Sequence, residues 1–368
     1  MAPIVSFVVP CYKLAHLLSD CVDSILGQTY REFEVLIMDD CSPDNTPEVA
    51  RSFQDARVKY IRNATNLGHL RNYNKGIGLS QGKYVWLISA DDYLRRAHIL
   101  ERYVNLLERN PRVGYTFCPG VAVKNGRETD ILAYSVHGNR DRIMPGHFLL
   151  KRLLMGNGVL AASGMARREC YDRISLFPLN MPWAGDWYLW CVFALHFDVG
   201  YFAEPMVCYR EHNLSMTNSL AQKSAAACCE EYVAVIWSIK NKADEATFRN
   251  ASKECLDAVV QFYARNIASK RYGMSRPSLT LEEFEESLSR YCVIETDKAR
   301  VRARVYAEVG NEYYWQGESA LAKGFYESAL KKNPWMLSTY VKRLLLSLGK
   351  RGDYLREAIL SFRLTRNH

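Results

Sequence analysis

The sequence predicts an α/β amino-terminal domain built on a parallel sheet, followed by an all-α carboxy-terminal domain. Three observations lead there. Short apolar runs of β type alternate with helix-spaced segments through roughly the first 120 residues, the pattern of β-α-β units with helices on both faces of a sheet. From about residue 221 long helical patterns replace the strands. At 368 residues the chain also exceeds the usual size of a single core, so two domains, 1–220 and 221–368, are expected.

The elements follow in order. Val5–Pro10 reads as a first strand, and Leu17–Leu26 carries helical spacing. Phe33–Met38 is a second strand, and Thr46–Phe53 a helix opened by a threonine cap. A strand over Val58–Arg62, a helix over Arg71–Leu79 and a strand over Tyr84–Ser89 complete the alternation. In the second domain helices are expected over Ala225–Ile239 and Phe248–Ile267, then a break over 273–280 containing Pro277, then helices to the end.

Composition narrows the class. With 48% hydrophobic and 24% charged residues the chain is an ordinary globular protein, not a disordered one. No window approaches ~18 uninterrupted apolar residues, so a spanning helix is not expected. The first ten residues lack a basic leader and a cleavage site, and read as a buried strand rather than a signal peptide. The eleven cysteines are odd in number and scattered, without a Cys-x-x-Cys pair or zinc spacing; reduced cytosolic thiols are the expectation. Of the net charge of +8, residues 221–368 supply +6, from 24 basic against 18 acidic residues. Residues 331–368 alone hold nine basic and two acidic ones. Such a tail suits anionic lipid or a polyanion, and a solvated helix face explains it equally well. No nucleic-acid motif accompanies the charge, so nucleic acid is not an expected partner.

In parallel sheets ligands sit at the carboxyl ends of the strands. The turns after Val9, Met38 and Ser89 should therefore line one crevice, and they carry Tyr12, Asp39-Asp40 and Asp91-Asp92. Grouping like charges costs free energy unless cations or hydrogen-bond donors compensate. A bound Mg²⁺ or Mn²⁺ would do so while bridging a diphosphate. Either pair alone reads more readily as turn or cap residues; both in one crevice point to a site.

These residues carry a resemblance. Val8-Val9-Pro10-Cys11-Tyr12-Lys13, Ile37-Met38-Asp39-Asp40-Cys41-Ser42-Pro43-Asp44-Asn45-Thr46 and Ile88-Ser89-Ala90-Asp91-Asp92 look like family 2 glycosyltransferases of the GT-A fold. The linking run Asn66-Leu67-Gly68, Arg71-Asn72, Gly76 and Gly82-Lys83-Tyr84-Val85 has the order and spacing of that family. The resemblance covers about residues 3–217 and implies a Rossmann-like mixed sheet with helices on both faces. It implies that Pro10 and Tyr12 shape a nucleoside pocket, that Asp39 accepts from the base, and that Arg71 lies near base or diphosphate. Asp91 would contact ribose or metal, and Asp92 the metal. Two departures stand out: Lys13 replaces the usual Asn, and Ser89 the first acid of the family's Asp-x-Asp signature.

Two downstream segments extend it. In Trp183-Ala184-Gly185-Asp186-Trp187-Tyr188-Leu189-Trp190 an acid stands among aromatics at the start of a helix. Read without the family, Asp186 is a helix N-cap. The matching acid of the family is the catalytic base that deprotonates the acceptor hydroxyl, and tryptophans suit a wall that excludes water. The residue before it, usually Glu, is Gly185. Tyr209-Arg210-Glu211-His212, followed by Ser215 and Thr217, resembles the segment that folds over the donor. His212 is apt for metal or phosphate, and Arg210 for the diphosphate. Ser163-Gly164-Met165-Ala166-Arg167-Arg168 is expected to place small groups near the acceptor.

The resemblance thus implies an inverting, metal-dependent glycosyltransferase using Mn²⁺ or Mg²⁺. It would move a sugar from a nucleoside-diphosphate sugar to a hydroxyl of a glycan or lipid-linked acceptor, in surface-polysaccharide assembly. The alternatives are a nucleotidyltransferase and a degenerate transferase serving as a scaffold. The stretch from Ala307 through Gly310, Gly317 and Ala320 to Pro334 resembles one tetratricopeptide helix pair, around 303–334, without a second copy. The helical region is expected to position the acceptor, to associate peripherally with the cytoplasmic membrane face, or to make a homo-oligomer contact.

Overall fold

The computed structural model describes residues 3–212, 225–245, 249–268, 279–292 and 295–349. The chain divides into two compact units, Met1–Ser224 with Glu245–Ala251, and Ala225–Asp244 with Ser252–His368.

The first unit opens with β1 (Val5–Cys11), α1 (Ala15–Leu26), β2 (Phe33–Asp39), α2 (Thr46–Ser52), β3 (Val58–Arg62), α3 (His69–Leu79) and β4 (Tyr84–Leu87). Short β5 (Tyr93–Leu94), α4 (Ile99–Arg109), β6 (Val113–Phe117), β7 (Gly120–Lys124) and β8 (Arg127–Ile131) come next. Then follow β9 (Arg142–Met144), α5 (Gly146–Leu153), β10 (Met165–Arg167), α6 (Arg168–Arg173), α7 (Gly185–Ala194), β11 (Asp198–Tyr201) and β12 (Val207–Arg210). The alternation expected for the first part of the chain is present, with each element within two residues of its expected end. Thr46 is not the cap of α2. It is the first helical residue, buried, and both its backbone N–H and its hydroxyl donate to Asp44 Oδ1. Asp44 thus takes the first N–H of α2 on one oxygen and, on the other, Ala15 N at the start of α1.

The main sheet runs β3-β2-β1-β4-β10-β6-β11-β9. β1 pairs in parallel with both β2 and β4, with Pro10 opposite Met38 and Val8 opposite Leu87. β10 is antiparallel to β4 and β6, so the sheet is mixed. All of β1 and β2 is buried, as expected of strands covered on both faces. Four aromatic rings stack through the core: Phe7 on Trp86 at 5.3 Å, Trp86 on Tyr103 at 5.0 Å, and Tyr103 on Phe202 at 5.1 Å. The Trp86 indole N–H donates to Ala162 O at 2.8 Å, leaving this buried polar group satisfied. A second sheet, β5-β12-β7-β8, was not foreseen from the sequence; its strands are two to five residues long.

The second unit is helical: α8 (Ala225–Glu245), α9 (Arg249–Ile267), α10 (Leu281–Tyr291), α11 (Glu295–Trp315), α12 (Ser319–Lys332) and α13 (Leu337–Ser347). Thr280 opens α10 with a capping box to Glu283. Tyr232 stacks on Phe262 at 4.1 Å, and Tyr263 meets the edge of Phe284 at 4.6 Å. Gly310 of α11 lets the ring of Tyr326 on α12 approach within 2.7 Å of where a Cβ would stand. Most of the expected break, residues 273–278, and the basic tail beyond residue 349 lie outside the described residues. Nine described cysteines form no disulfide, and eight of them are buried. No helix among the described residues is long and apolar enough to cross a membrane.

Gly76 sets how closely α3 rides on the sheet. A Cβ there would fall within van der Waals distance of Val8 Cγ1 and 3.0 Å from Met38 Cγ. Gly76→Ala should therefore overpack this face and destabilise the first unit by about 1–3 kcal/mol, read as a lower urea midpoint at unchanged slope.

Candidate active site

Because β2, β1 and β4 lie side by side and parallel, their carboxyl ends share one edge. Ala90 N donates to Pro10 O at 3.1 Å and Asp40 N to Cys11 O at 3.0 Å, which stitches the three turns together. Pro10 is buried at this edge and Tyr12 is exposed. Lys13 and Cys41 take left-handed backbone angles, with φ of 59° and 61°. Asn tolerates that region better than Lys, so the Lys13 departure carries a backbone cost.

The first acidic pair is compensated by the protein itself. Asp39, wholly buried, accepts from Ser42 N at 2.8 Å and from Tyr60 Oη and Arg62 Nη1, each at 2.7 Å. Asp40 accepts from Asn63 Nδ2, Leu67 N and Gly68 N at 2.8–3.0 Å, holding the loop that starts α3. Asn63 in turn donates to Asn72 Oδ1, and Asn72 to Met38 O. Asp40 is thus a brace for the crevice wall. Arg71 is exposed in the first turn of α3.

The second pair is arranged differently. β12 runs antiparallel to β5, with Cys208 opposite Tyr93, and this returns Arg210 and His212 to Asp91 and Asp92. His212 Nε2 lies 3.0 Å from Asp91 Oδ2. Arg210 N donates to Asp92 Oδ1 at 3.0 Å, while its guanidinium donates to Asp91 O at 2.9 Å and Asp20 Oδ2 at 2.5 Å. The same guanidinium covers the Tyr93 ring at 4.6 Å. Burial pushes the Asp92 carboxyl well above the ordinary carboxylate range, and the neighbouring Asp91 charge adds to this. Burial thus outweighs the Arg210 N–H that donates to Asp92. Asp91 and His212 offer the oxygen and imidazole donors that Mn²⁺ accepts. Among the described residues no three His, Cys, Asp or Glu side chains converge as a finished metal cage. A cation held there would complete its shell with substrate phosphates and water, the usual habit of Mg²⁺.

Ser89, Asp91, Asp92 and Asp186 line one pocket. Asp186 stands in the first turn of α7, but the N-cap position belongs to Ala184, so the capping reading of Asp186 is set aside. Its Oδ2 accepts from Asn157 Nδ2 at 2.8 Å. Burial raises the carboxyl above its ordinary range, opposed by the Trp187 backbone N–H and the Asn157 amide. Gly185 carries no side chain for a packing reason: a Cβ would sit 3.3 Å from both Leu70 Cδ2 and Phe177 Cδ1. Of the tryptophans, Trp183 and Trp190 line the pocket, whereas Trp187 belongs to the core and donates to Leu153 O at 2.8 Å. Gly164 lines the pocket against the Trp190 ring, while Arg167 is a buried brace whose guanidinium donates to Val113 O and Leu107 O. Ser215 and Thr217 lie outside the described residues.

Two pocket residues and one hydrogen-bond partner of Asp186 escaped the sequence reading. Tyr73 lines the same pocket; burial, then the charges of Asp91, Asp186 and Asp92, raise its hydroxyl. His69 meets the Tyr73 ring at 5.5 Å, and its Nε2 lies 2.9 Å from Pro182 O, so that nitrogen carries the proton. Asn157 belongs to the loop after α5, where nothing in the local pattern marks it.

Because its folded carboxyl is raised, Asp186 binds its proton more tightly in the fold than in the unfolded chain. Its stability cost is absent below the unfolded value near ~3.9 and complete above the raised value. Asp186→Asn should raise the melting temperature at pH 7, with the gain vanishing as the pH falls toward ~4.

Comparison with known proteins places these features in a family. Residues 6–168 match the profile of Glycosyl transferase family 2. Glycosyltransferase GlyG of Streptococcus pneumoniae serotype 4 is 33% identical over 115 residues, which are 31% of this chain and 38% of that protein. An uncharacterized glycosyltransferase of Rickettsia typhi is 25% identical over 284 residues, 74% of this chain and 84% of its own length. UDP-Glc:alpha-D-GlcNAc-diphosphoundecaprenol beta-1,3-glucosyltransferase WfgD of Escherichia coli is 26% identical over 51% of this chain and 68% of that protein. The chain therefore spans well under half of GlyG and most of the other two. The crystal structure of S. aureus TarS 1–349 in complex with UDP-GlcNAc superposes with a TM-score of 0.60 at 16% identity, covering 95% of this chain and 92% of that one, a likeness of fold. The first unit has the GT-A fold, and the family 2 profile matches it over residues 6–168.

Proposed function

We propose that the chain is an inverting, metal-dependent glycosyltransferase with Asp186 as its base. One observation carries the reading: the Asp91-Asp92 turn and a raised carboxyl, Asp186, that no opposite charge offsets line the same pocket. A nucleoside-diphosphate sugar laid along the strand ends would put its nucleoside against Pro10, Tyr12 and Asp39 and its diphosphate toward Arg71, Arg210 and the Asp91-Asp92 turn. Its anomeric carbon would then face Asp186 across the pocket.

The acceptor hydroxyl attacks that carbon as the bond to the diphosphate breaks, with inversion, and its proton passes to Asp186. The raised carboxyl suits this task, because a base near neutrality holds the proton it takes. Asn157 keeps one carboxylate oxygen oriented and leaves the other for the hydroxyl. Trp183 and Trp190 keep competing water from the wall. Asp91, Asp92 and His212 would hold Mn²⁺ or Mg²⁺, and a bound cation would neutralise charge on the departing diphosphate.

The acceptor is read as a hydroxyl of a glycan or of a lipid-linked sugar, used in surface-polysaccharide assembly at the cytoplasmic membrane face. Two relatives support this: WfgD is named for a diphosphoundecaprenol-linked acceptor, and TuaG of Bacillus subtilis for teichuronic acid biosynthesis.

A panel of nucleotide sugars with Mn²⁺, begun with UDP-glucose and UDP-GlcNAc, tests the reading through slow donor hydrolysis. Hydrolysis to sugar and nucleoside diphosphate should appear, cease with EDTA and return with Mn²⁺. Asp186→Asn should lower it by about 10²–10⁴-fold. Release of pyrophosphate instead would identify a nucleotidyltransferase, and no nucleotide binding across the panel a scaffold. A second expectation concerns pH. Asn157→Ala removes a donor to the carboxylate, so the acidic limb of kcat/KM should move to higher pH; an unmoved limb would exclude Asp186 as the titrating base.

A further inference from the structure

The second unit ends its described part on a helix turned the wrong way round for a globular core. Along α13, Leu337, Val341, Leu344 and Leu348 recur at spacings of four, three and four, and Tyr340 flanks them, so they share one face within an arc of about 100°. That face is exposed: Leu337 to 75%, Leu344 to 61% and Val341 to 53%. The turn before the helix adds Trp335 at 87%. The opposite face is the packed one, where Thr339 is buried. A helix of a soluble domain normally buries such a stripe, and a contiguous apolar patch of this kind marks an interaction surface.

Charge identifies the occupant. Residues 331–349 contain Lys331, Lys332, Lys342 and Arg343 and no acidic residue, and residues 350–368 add five basic against two acidic ones. Lys331 and Lys332 are exposed beside the turn that bears Trp335. An apolar stripe with an exposed Trp and a cationic border has the composition of a helix lying in the plane of an anionic bilayer, its rings and leucines among the acyl chains and its cations at the headgroups. No described helix can span a bilayer, so the contact would be peripheral.

We propose that α13 and the Trp335 turn dock on an anionic phospholipid surface. This deepens the reading of a lipid-linked acceptor and rests on it only for its purpose: docking would keep the enzyme on the surface that holds such an acceptor.

The test is co-sedimentation of the full chain with vesicles of phosphatidylglycerol and phosphatidylcholine, against vesicles of phosphatidylcholine alone. The chain should pellet with the anionic vesicles, and less so as salt rises. Lys331→Gln/Lys332→Gln should weaken binding by roughly tenfold. Trp335→Ser/Leu344→Ser should abolish it while leaving the thermal melt unchanged, because both side chains are exposed. A chain that stays in the supernatant, or an apolar double variant that binds like the parent, overturns the proposal. So does an oligomer that the apolar variant disperses, which would assign the face to a second copy of the chain. Donor hydrolysis is measured separately on the same preparations: its absence counts against the transferase reading, and absence of pelleting counts only against the docking face.

Discussion

The parallel register of β1 between β2 and β4 is the constraint on which the site depends. It sends Tyr12, the Asp39-Asp40 turn and the Asp91-Asp92 turn to one edge of the sheet. Four carboxylates at one edge form an electrostatic problem that the fold answers in two ways. Around Asp39 and Asp40 it places a phenol, a guanidinium, an amide and three backbone N–H groups. Around Asp91 and Asp92 it places fewer, and burial there outweighs them. One turn is thereby a rigid wall, and the other keeps an acid whose burial its donors do not offset.

Bringing partners to the Asp91-Asp92 turn requires the chain to come back from far along the sequence. The small second sheet does this. β12 pairs with β5 immediately after Asp92, so residues 118–121 positions apart meet at hydrogen-bond distance. The stacked rings from Phe7 to Phe202 fix the distance between β4 and the segment that leads into β12. Long-range order in the core is thus passed to the site through stiff, flat groups with few rotamers.

What the sequence disclosed follows from the range over which each signal acts. Strands β1 to β4 and helices α1 to α3 were legible because apolar periodicity and turn residues are local. The acids at strand ends were legible because a parallel sheet puts any such acid at one edge. Strands β7, β8 and β12 were not, since β8 is wholly exposed and short pieces carry little period. Asn157 and Tyr73 were invisible for another reason: each matters through a neighbour that only the folded chain supplies. The caps show the same limit. Thr46 looked like a cap and Asp186 admitted the same reading, yet the backbone places the first inside its helix and Ala184 before the second.

Gly185 has a consequence for how the Asp186 carboxyl exchanges protons. A Cβ at that position would stand 3.3 Å from both Leu70 Cδ2 and Phe177 Cδ1, so a second carboxylate beside Asp186 would press on both side chains. Two adjacent acids would share protons and titrate as a coupled pair with macroscopic constants belonging to neither. A solitary carboxyl tuned by an amide instead takes up a single proton in a simple one-step curve. Its basicity is then set by burial, by the Trp187 backbone N–H and by the Asn157 amide, of which the last is adjustable by substitution without disturbing a titrating partner.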